Sequence, residues 1–279
     1  MSELSRFKPL FDICTPFRQF WHNRELIWLM AIRSIESQFN GSYLGVFWSF
    51  IHPLCMLAIY TFIFSCIFNA RFGMDPRYAM KGAYAIILFS GMAVFSIFSN
   101  SVSKSSVLLE SNRNLVKKVV FPLELLPVIN LSSVFLLSLI HIFLVIVGAA
   151  IILKTLSWTM LLLPVTLIPL LLFTCGFSYF IAALGVFFKD LPYLLELILQ
   201  IWFFMTPIIY PISIVPKKLL WVYHLNPMTQ FVEQTRRFLI YDTLPDPGHC
   251  LFLFVLSCFV FQVGYFIFIK TKRGFADVL

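Results

Sequence analysis

Residues 40–68 read NGSYLGVFWSFIHPLCMLAIYTFIFSCIF, a run without an acidic residue, a lysine or an arginine. A stretch of about 20 apolar residues is long enough to cross the hydrocarbon core of a bilayer as a helix. A helix also satisfies every backbone N–H and C=O within the segment, as lipid demands. Five further apolar runs follow. The sequence therefore predicts an all-α integral membrane protein with six spans, over about 43–68, 84–107, 123–153, 159–188, 192–212 and 250–269. Residues 1–39 then form a cytoplasmic N-terminal segment and 40–279 the six-span domain. The third and fourth runs exceed what the core needs, so tilt or a kink is expected, with Pro164 and Pro169 as candidates.

Composition agrees: 60% of residues are hydrophobic and 12% charged, and mean hydropathy is +0.89, against roughly 25% charged for a soluble domain. Six spans put both termini on one side. That side collects 13 of the 21 Lys and Arg, among them Arg6, Lys8, Lys104, Lys117, Lys118 and Lys272, and the positive-inside rule makes it cytoplasmic. The net charge of +8 is then an anchoring feature, and its dispersal around the spans argues against a nucleic-acid partner. The charged N-terminus lacks a small-residue cleavage site, so no cleaved signal peptide is expected. None of the six cysteines forms a C-x-x-C pair and the five histidines are scattered, so neither a metal site nor a catalytic centre is expected.

Active transport needs fuel, yet no glycine here precedes a lysine and no two glycines are five apart, so a phosphate-binding loop is missing. Any ATP and magnesium belong to another polypeptide, and this chain is expected to bind no cofactor itself. Before the first span, PFRQFWHNRELIWLMAI spaces Phe17, Phe20, Trp21, Trp28 and Ala31 along one helical face, with Arg18, His22 and Glu25 opposite. That pattern predicts an amphipathic helix lying in the membrane interface. Gly41 and Gly45 form G-x-x-x-G, which either lets helices approach closely or marks a turn after Asn40. Ser96, Ser99, Asn100, Ser103 and Ser106 make a polar stripe on span two, suited to helix packing or to a channel wall. Glu196 and Gln200 are i, i+4 neighbours in span five beside Tyr193, and Glu196 is the one acidic residue clearly within a span; a structural ion pair, for example with Lys117, and a conduit lining are both open. The basic segment Glu110–Glu124 reads as a turn or as a helix that inserts Leu115, Val119 and Phe121 into a soluble partner. Beyond span five, two apolar-periodic pieces at 217–224 and 228–241 are too short to cross and fit a re-entrant helix pair.

Several of these pieces together resemble ABC-2-type permeases: Asn40-Gly-Ser-Tyr-Leu-Gly-Val-Phe-Trp-Ser up to Pro53, Asn114–Glu124, Lys189-Asp-Leu-Pro192, Phe204-Met-Thr-Pro-Ile-Ile-Tyr-Pro211, Leu225-Asn-Pro227 and Phe275–Leu279. Within that family the likeness is to the subfamily that exports lipid-linked polysaccharides: O-antigen, capsule and teichoic acid. A basic dipeptide common before the Gly-Ser turn of that family is here Phe39-Asn40.

The resemblance implies a homodimer in the bacterial inner membrane with one ATP-binding cassette subunit under each protomer. Arg24, Glu25, Asn114, Leu115, Lys117, Lys118 and Phe121 would contact that ATPase. Tyr210, Trp221, Tyr223, Asn226 and Phe231 would belong to an outer gate. The cargo would be a lipid-linked glycan passing along spans one and five. Aromatic residues make up 18% of the chain, and their faces suit the C–H faces of sugars as many weak contacts. Phe47, Trp48, Tyr60, Ser99, Glu196, Gln200, Trp202, Phe203 and Phe204 are the candidate conduit residues. A small-molecule or lipid exporter is the alternative, and a membrane-embedded enzyme a distant one, since no acid–base or nucleophilic groups converge.

Overall fold

The computed structural model describes residues 14–68, 82–118, 121–154 and 158–278, and the regular structure among them is all helical. Arg6, Lys8 and Val119, named above, lie outside these residues. In chain order, leaving aside the single turn Leu108–Ser111 and the short 3-10 and π segments, the helices are α1 (Cys14–His22), α2 (Arg24–Gln38), α3 (Trp48–Thr61), α4 (Ala83–Ser105), α5 (Arg113–Lys118), α6 (Leu125–Gly148), α7 (Leu163–Phe187), α8 (Leu191–Phe204), α9 (Leu220–Leu225), α10 (Pro227–Arg236), α11 (Pro247–Thr271) and α12 (Phe275–Val278). Five of the described helical stretches are long and apolar enough to cross a membrane: Gly45–Phe64, Ala83–Ser105, Leu125–Leu153, Trp158–Phe187 and Pro247–Gly274.

The remaining apolar helix departs from expectation. α8 has 14 residues, about 21 Å at 1.5 Å per residue, against a core of about 30 Å. It ends at Phe204 rather than continuing to Ile212. Pro207 is the cause: its ring clashes with the carbonyl four residues back, and it pushes Thr206 out of helical geometry. Thr206 closes the last turn instead, its N–H donating to Phe203 O at 3.2 Å and its hydroxyl to Trp202 O at 2.9 Å.

Lipid is as apolar as leucine, so helices in a membrane associate through close packing and shared hydrogen bonds rather than through escape from water. The most extensive helix contact here is between α7 and α11, and two glycines allow its close approach. A Cβ on Gly264 would lie 2.0 Å from Gly176 O, and one on Gly176 would lie 2.5 Å from Val260 O. α4 forms the centre, with 78% of its spanning window buried against 6% for Gly45–Phe64. Phe98 of α4 packs on Phe173 and Phe177 of α7 and on Trp202 of α8, with ring centroids 5.0–5.7 Å apart. Asn130 of α6 donates to Ser101 O at 2.9 Å and to the Ser105 hydroxyl at 3.1 Å, tying α6 to α4.

One local expectation is corrected and one open alternative is decided. The N-terminal aromatics do not share one face across the break at Asn23 that separates α1 from α2. Phe17 and Phe20 turn onto Phe261 of α11, Ala31 is buried, and Trp21 and Trp28 point outward. Ile27 of α2 packs against Leu125 and Ile129 of α6. For Gly41 and Gly45 the protomer shows the turn alternative. Both have positive φ (83° and 52°), and a Cβ at either would meet nothing within 4 Å, so they serve the turn that leads into α3.

Candidate transport site

α8 is amphipathic in an unusual sense. Leu191, Leu195 and Leu199 are buried, while Tyr193, Glu196, Leu197, Gln200, Ile201 and Phe204 all face away from the protomer. The carboxylate of Glu196 has no ion-pair or hydrogen-bond partner among the described residues, Lys117 included. The ion-pair expectation is therefore not met. α3 is equally unpartnered over its first turns, with Phe47 and Trp48 exposed. Tyr60, one face half-buried, packs on Phe64 with centroids 6.4 Å apart.

Trp202 and Phe203 turn the other way, into the bundle: Phe203 packs on Phe95 at 5.4 Å and Trp202 on Phe98. Ser99 is half-buried on the open edge of α4, next to exposed Asn100 and Ser103. Ser106, counted in the same stripe, is buried. Of the nine conduit candidates, Phe47, Trp48, Glu196, Gln200 and Phe204 are thus open to a partner or ligand, and Trp202 and Phe203 are chiefly core.

Beyond α8 the chain runs into a helical hairpin, α9 and α10, whose expected extents hold to within a few residues. Asn226 joins it to α8. Its side-chain oxygen accepts from Trp202 Nε1 at 2.8 Å and, as the N-cap of α10, from Met228 N–H at 3.0 Å. Its amide donates to Thr206 Oγ1 at 3.1 Å. Tyr210 donates to Phe204 O at 2.6 Å and shares a hydrogen bond of 2.8 Å with Tyr223. Between α8 and α9 runs a groove of about 380 Å³ lined by Ile201, Trp202, Met205, Val222 and Leu225. Trp221 is exposed beside it, whereas Phe231 is fully buried against Phe173 and presents nothing to the outside.

The strongest polar contact is one the sequence reading passed over. Arg236, at the end of α10, has no exposed surface. Its guanidinium donates to Pro207 O at 2.7 Å, Ile208 O at 2.9 Å, Ile87 O at 3.3 Å and Glu233 Oε1 at 2.8 Å. A planar fork of five donors suits several carbonyls at once, and a buried charge persists only with such partners. Gly91 of α4 makes the room, since a Cβ there would lie 2.9 Å from Nη2.

On the opposite end, Arg24 lies over the Trp21 ring at 5.3 Å, and Glu25, Asn114 and Lys117 are exposed. Leu115 and Phe121 pack inward against the bundle core. Both are half-buried, and α5, only six residues long, leans on α12.

The family model for ABC-2 type transporter membrane domains matches residues 25–240. The chain belongs to the ABC-2 type transporter family. This permease is 27% identical over 93% of its length to an O-antigen export system permease of Myxococcus xanthus, covering 97% of that protein. A permease of the same description from Klebsiella pneumoniae is 27% identical over 91% of the chain and 95% of its own. A polysialic acid transport protein of Escherichia coli is 25% identical, over 74% and 78% respectively. Family membership makes the chain the membrane component of a transporter and not an enzyme. Arg236 did carry a signal in the permease sequence: a cation within an apolar-periodic piece.

Proposed function

We propose that this chain is the permease subunit of an ATP-driven exporter that moves a lipid-linked polysaccharide, of O-antigen type, out of the cytoplasm across a bacterial inner membrane. It works as a homodimer with a separate ATP-binding cassette ATPase beneath each copy, both termini cytoplasmic. α8 serves as the sixth crossing, completed by the hairpin, which acts as a re-entrant outer gate. α1 and α2 lie in the cytoplasmic interface with Trp21 and Trp28 at headgroup level.

One observation carries this reading beyond the names of the relatives. The unpartnered face of α8 bears an ionisable Glu196 and an amide at Gln200 amid tyrosine and phenylalanine. Placing a charged carboxylate against lipid tails costs about 2.5–3.5 kcal/mol even on the most lenient scale. A face that meets a second copy across a hydrated passage avoids that cost. The mixture of aromatic planes with hydrogen-bonding groups also matches sugar rings, which present C–H faces and hydroxyls together.

Site-directed cross-linking tests it. With native cysteines replaced, Gln200→Cys in membranes is expected to give a linked pair of chains and to stop glycan from reaching the far side. A Gln200→Cys chain that stays single and is labelled only by lipid-soluble maleimide refutes the conduit. Normal export of a small hydrophobic compound with no response to glycan refutes the cargo.

A further inference from the structure

Outside the transport face, one cluster of polar groups joins four separate elements. Glu124 precedes α6 and is its N-cap residue. Its Oε1 accepts from Gln19 Nε2 of α1 at 2.6 Å, and its Oε2 accepts from Lys272 Nζ, just past α11, at 2.5 Å. Its backbone carbonyl accepts from the Tyr179 hydroxyl of α7 at 2.5 Å. The carboxylate is 12% exposed. Burial raises its pKa, but the hydrogen bonds from Lys272 and Gln19 outweigh that and hold it below the ordinary value. Around this junction lies an aromatic cluster, with Tyr179 against Phe261, Tyr265 and Phe268 of α11 and Phe17 and Phe20 of α1 on the same Phe261.

We propose that Glu124 is a positioning residue through which displacement of the N-terminal helix reaches the transmembrane bundle, coupling ATP turnover to transport. This rests on the reading that an ATPase seats against the cytoplasmic ends. The two carboxylate oxygens are held by different elements. α1 therefore cannot slide or tilt without breaking the Gln19 bond or pulling the start of α6, and pulling α6 strains the Lys272 bond at the end of α11. Two short polar bonds from one side chain transmit direction, which the rounded aromatic contacts beside them do not. α6 packs on α4 and α11 on α7, so motion entering at Glu124 reaches both of the principal helix pairs.

The test uses the permease co-assembled with its ATPase in proteoliposomes, loaded with lipid-linked glycan isolated from the producing cells. Glycan moved and ATP hydrolysed are measured together. Glu124→Ala and Lys272→Met are expected to keep the ATPase bound and hydrolysing at no less than half the wild-type rate, while glycan moved per ATP falls at least fivefold. The exchange of Glu124→Lys with Lys272→Glu is expected to recover the ratio to within twofold, because the Gln19 amide can turn its carbonyl toward the ammonium that the exchange brings to α6. An unchanged ratio in Glu124→Ala overturns the proposal. So does a parallel fall of hydrolysis and export that the exchange fails to repair, since that is loss of structure. A wild-type chain that retains no ATPase sinks the exporter reading and the junction with it; the other two outcomes sink the junction alone.

Discussion

Replacing Arg236 with methionine keeps most of the side chain's volume and removes all of its donors. Two backbone carbonyls, Pro207 and Ile208, then lose the guanidinium as donor, while Ile87 O keeps the Ser90 hydroxyl at 2.7 Å and Glu233, 24% exposed, can turn to solvent. Hydrogen bonds from a charged donor are worth about 1.5–3 kcal/mol each but do not add fully, and breaking a buried charge cluster costs about 3–5 kcal/mol. We take about 4 kcal/mol, which at roughly 2–4 °C per kcal/mol lowers the melting temperature by about 8–16 °C. The assay is thermal unfolding of the purified protein in detergent, followed by tryptophan fluorescence, to which Trp202 and Trp221 contribute from either side of the hairpin junction. Arg237→Met is the control, at a half-buried neighbour for which the change is expected within about 0.5 kcal/mol. Melting of Arg236→Met within about 2 °C of wild type, a shift worth under about 1 kcal/mol, refutes the view that this guanidinium clamps the hairpin to the bundle.

Other perturbations follow from the same geometry. Gly264→Leu drives a side chain into the backbone of α7, where nothing flexible can yield; it is expected to cost more than the ~1–3 kcal/mol of ordinary overpacking and to leave little folded protein on size exclusion. Trp202→Phe keeps the ring packing but loses the bond to Asn226, about 1 kcal/mol, and is expected to increase protease cutting within α9 while α3 and α11 remain protected. Glu124 has a folded pKa below its ordinary 4.5, so its contribution is full above that value and fades as pH falls through the folded one. The melting difference between wild type and Glu124→Gln is thus expected in full at pH 7 and to shrink as the pH is taken below 4.5 and through the lower folded value.

What could be read from the sequence was whatever depends on local pattern. Apolar runs long enough to span marked five of the helices to within a few residues, because lipid leaves the backbone no alternative to helix. The hairpin pieces were equally visible, since Asn226-Pro227 announces a capped helix start. The end of α8 was not, although Pro207 stood in plain view, because hydropathy continues through Ile208 and Ile209 and drowns the backbone signal. Facing was harder still. Trp202 and Phe204 sit two residues apart with like composition, yet one packs on Phe98 and the other points outward. Glu196 showed as an anomaly, whereas the partners of Glu124 lie 105 and 148 positions away, a separation that no periodicity encodes.

The shortness of α8 and the burial of Arg236 belong to one piece of construction. A helix of 14 residues is too short to cross a bilayer alone, and on the proposed reading the backbone just past its end needs donors that lipid cannot offer. The permease brings a second segment back to supply them. Asn226 reaches Met205 O and Thr206, Arg236 takes the Pro207 and Ile208 carbonyls, Tyr210 takes Phe204 O, and Thr159 ties the hairpin's end to the start of α7 through Phe238 O at 2.8 Å. The hairpin thus supplies donors to the backbone just beyond α8, at Met205, Pro207 and Ile208, whereas the last carbonyls of α8 itself are taken by Met205, Thr206 and Tyr210. It follows that the open face of α8 cannot tilt without carrying α9 and α10 along. On the proposed reading of α8 as conduit wall and the hairpin as outer gate, widening the one and lifting the other are then a single movement.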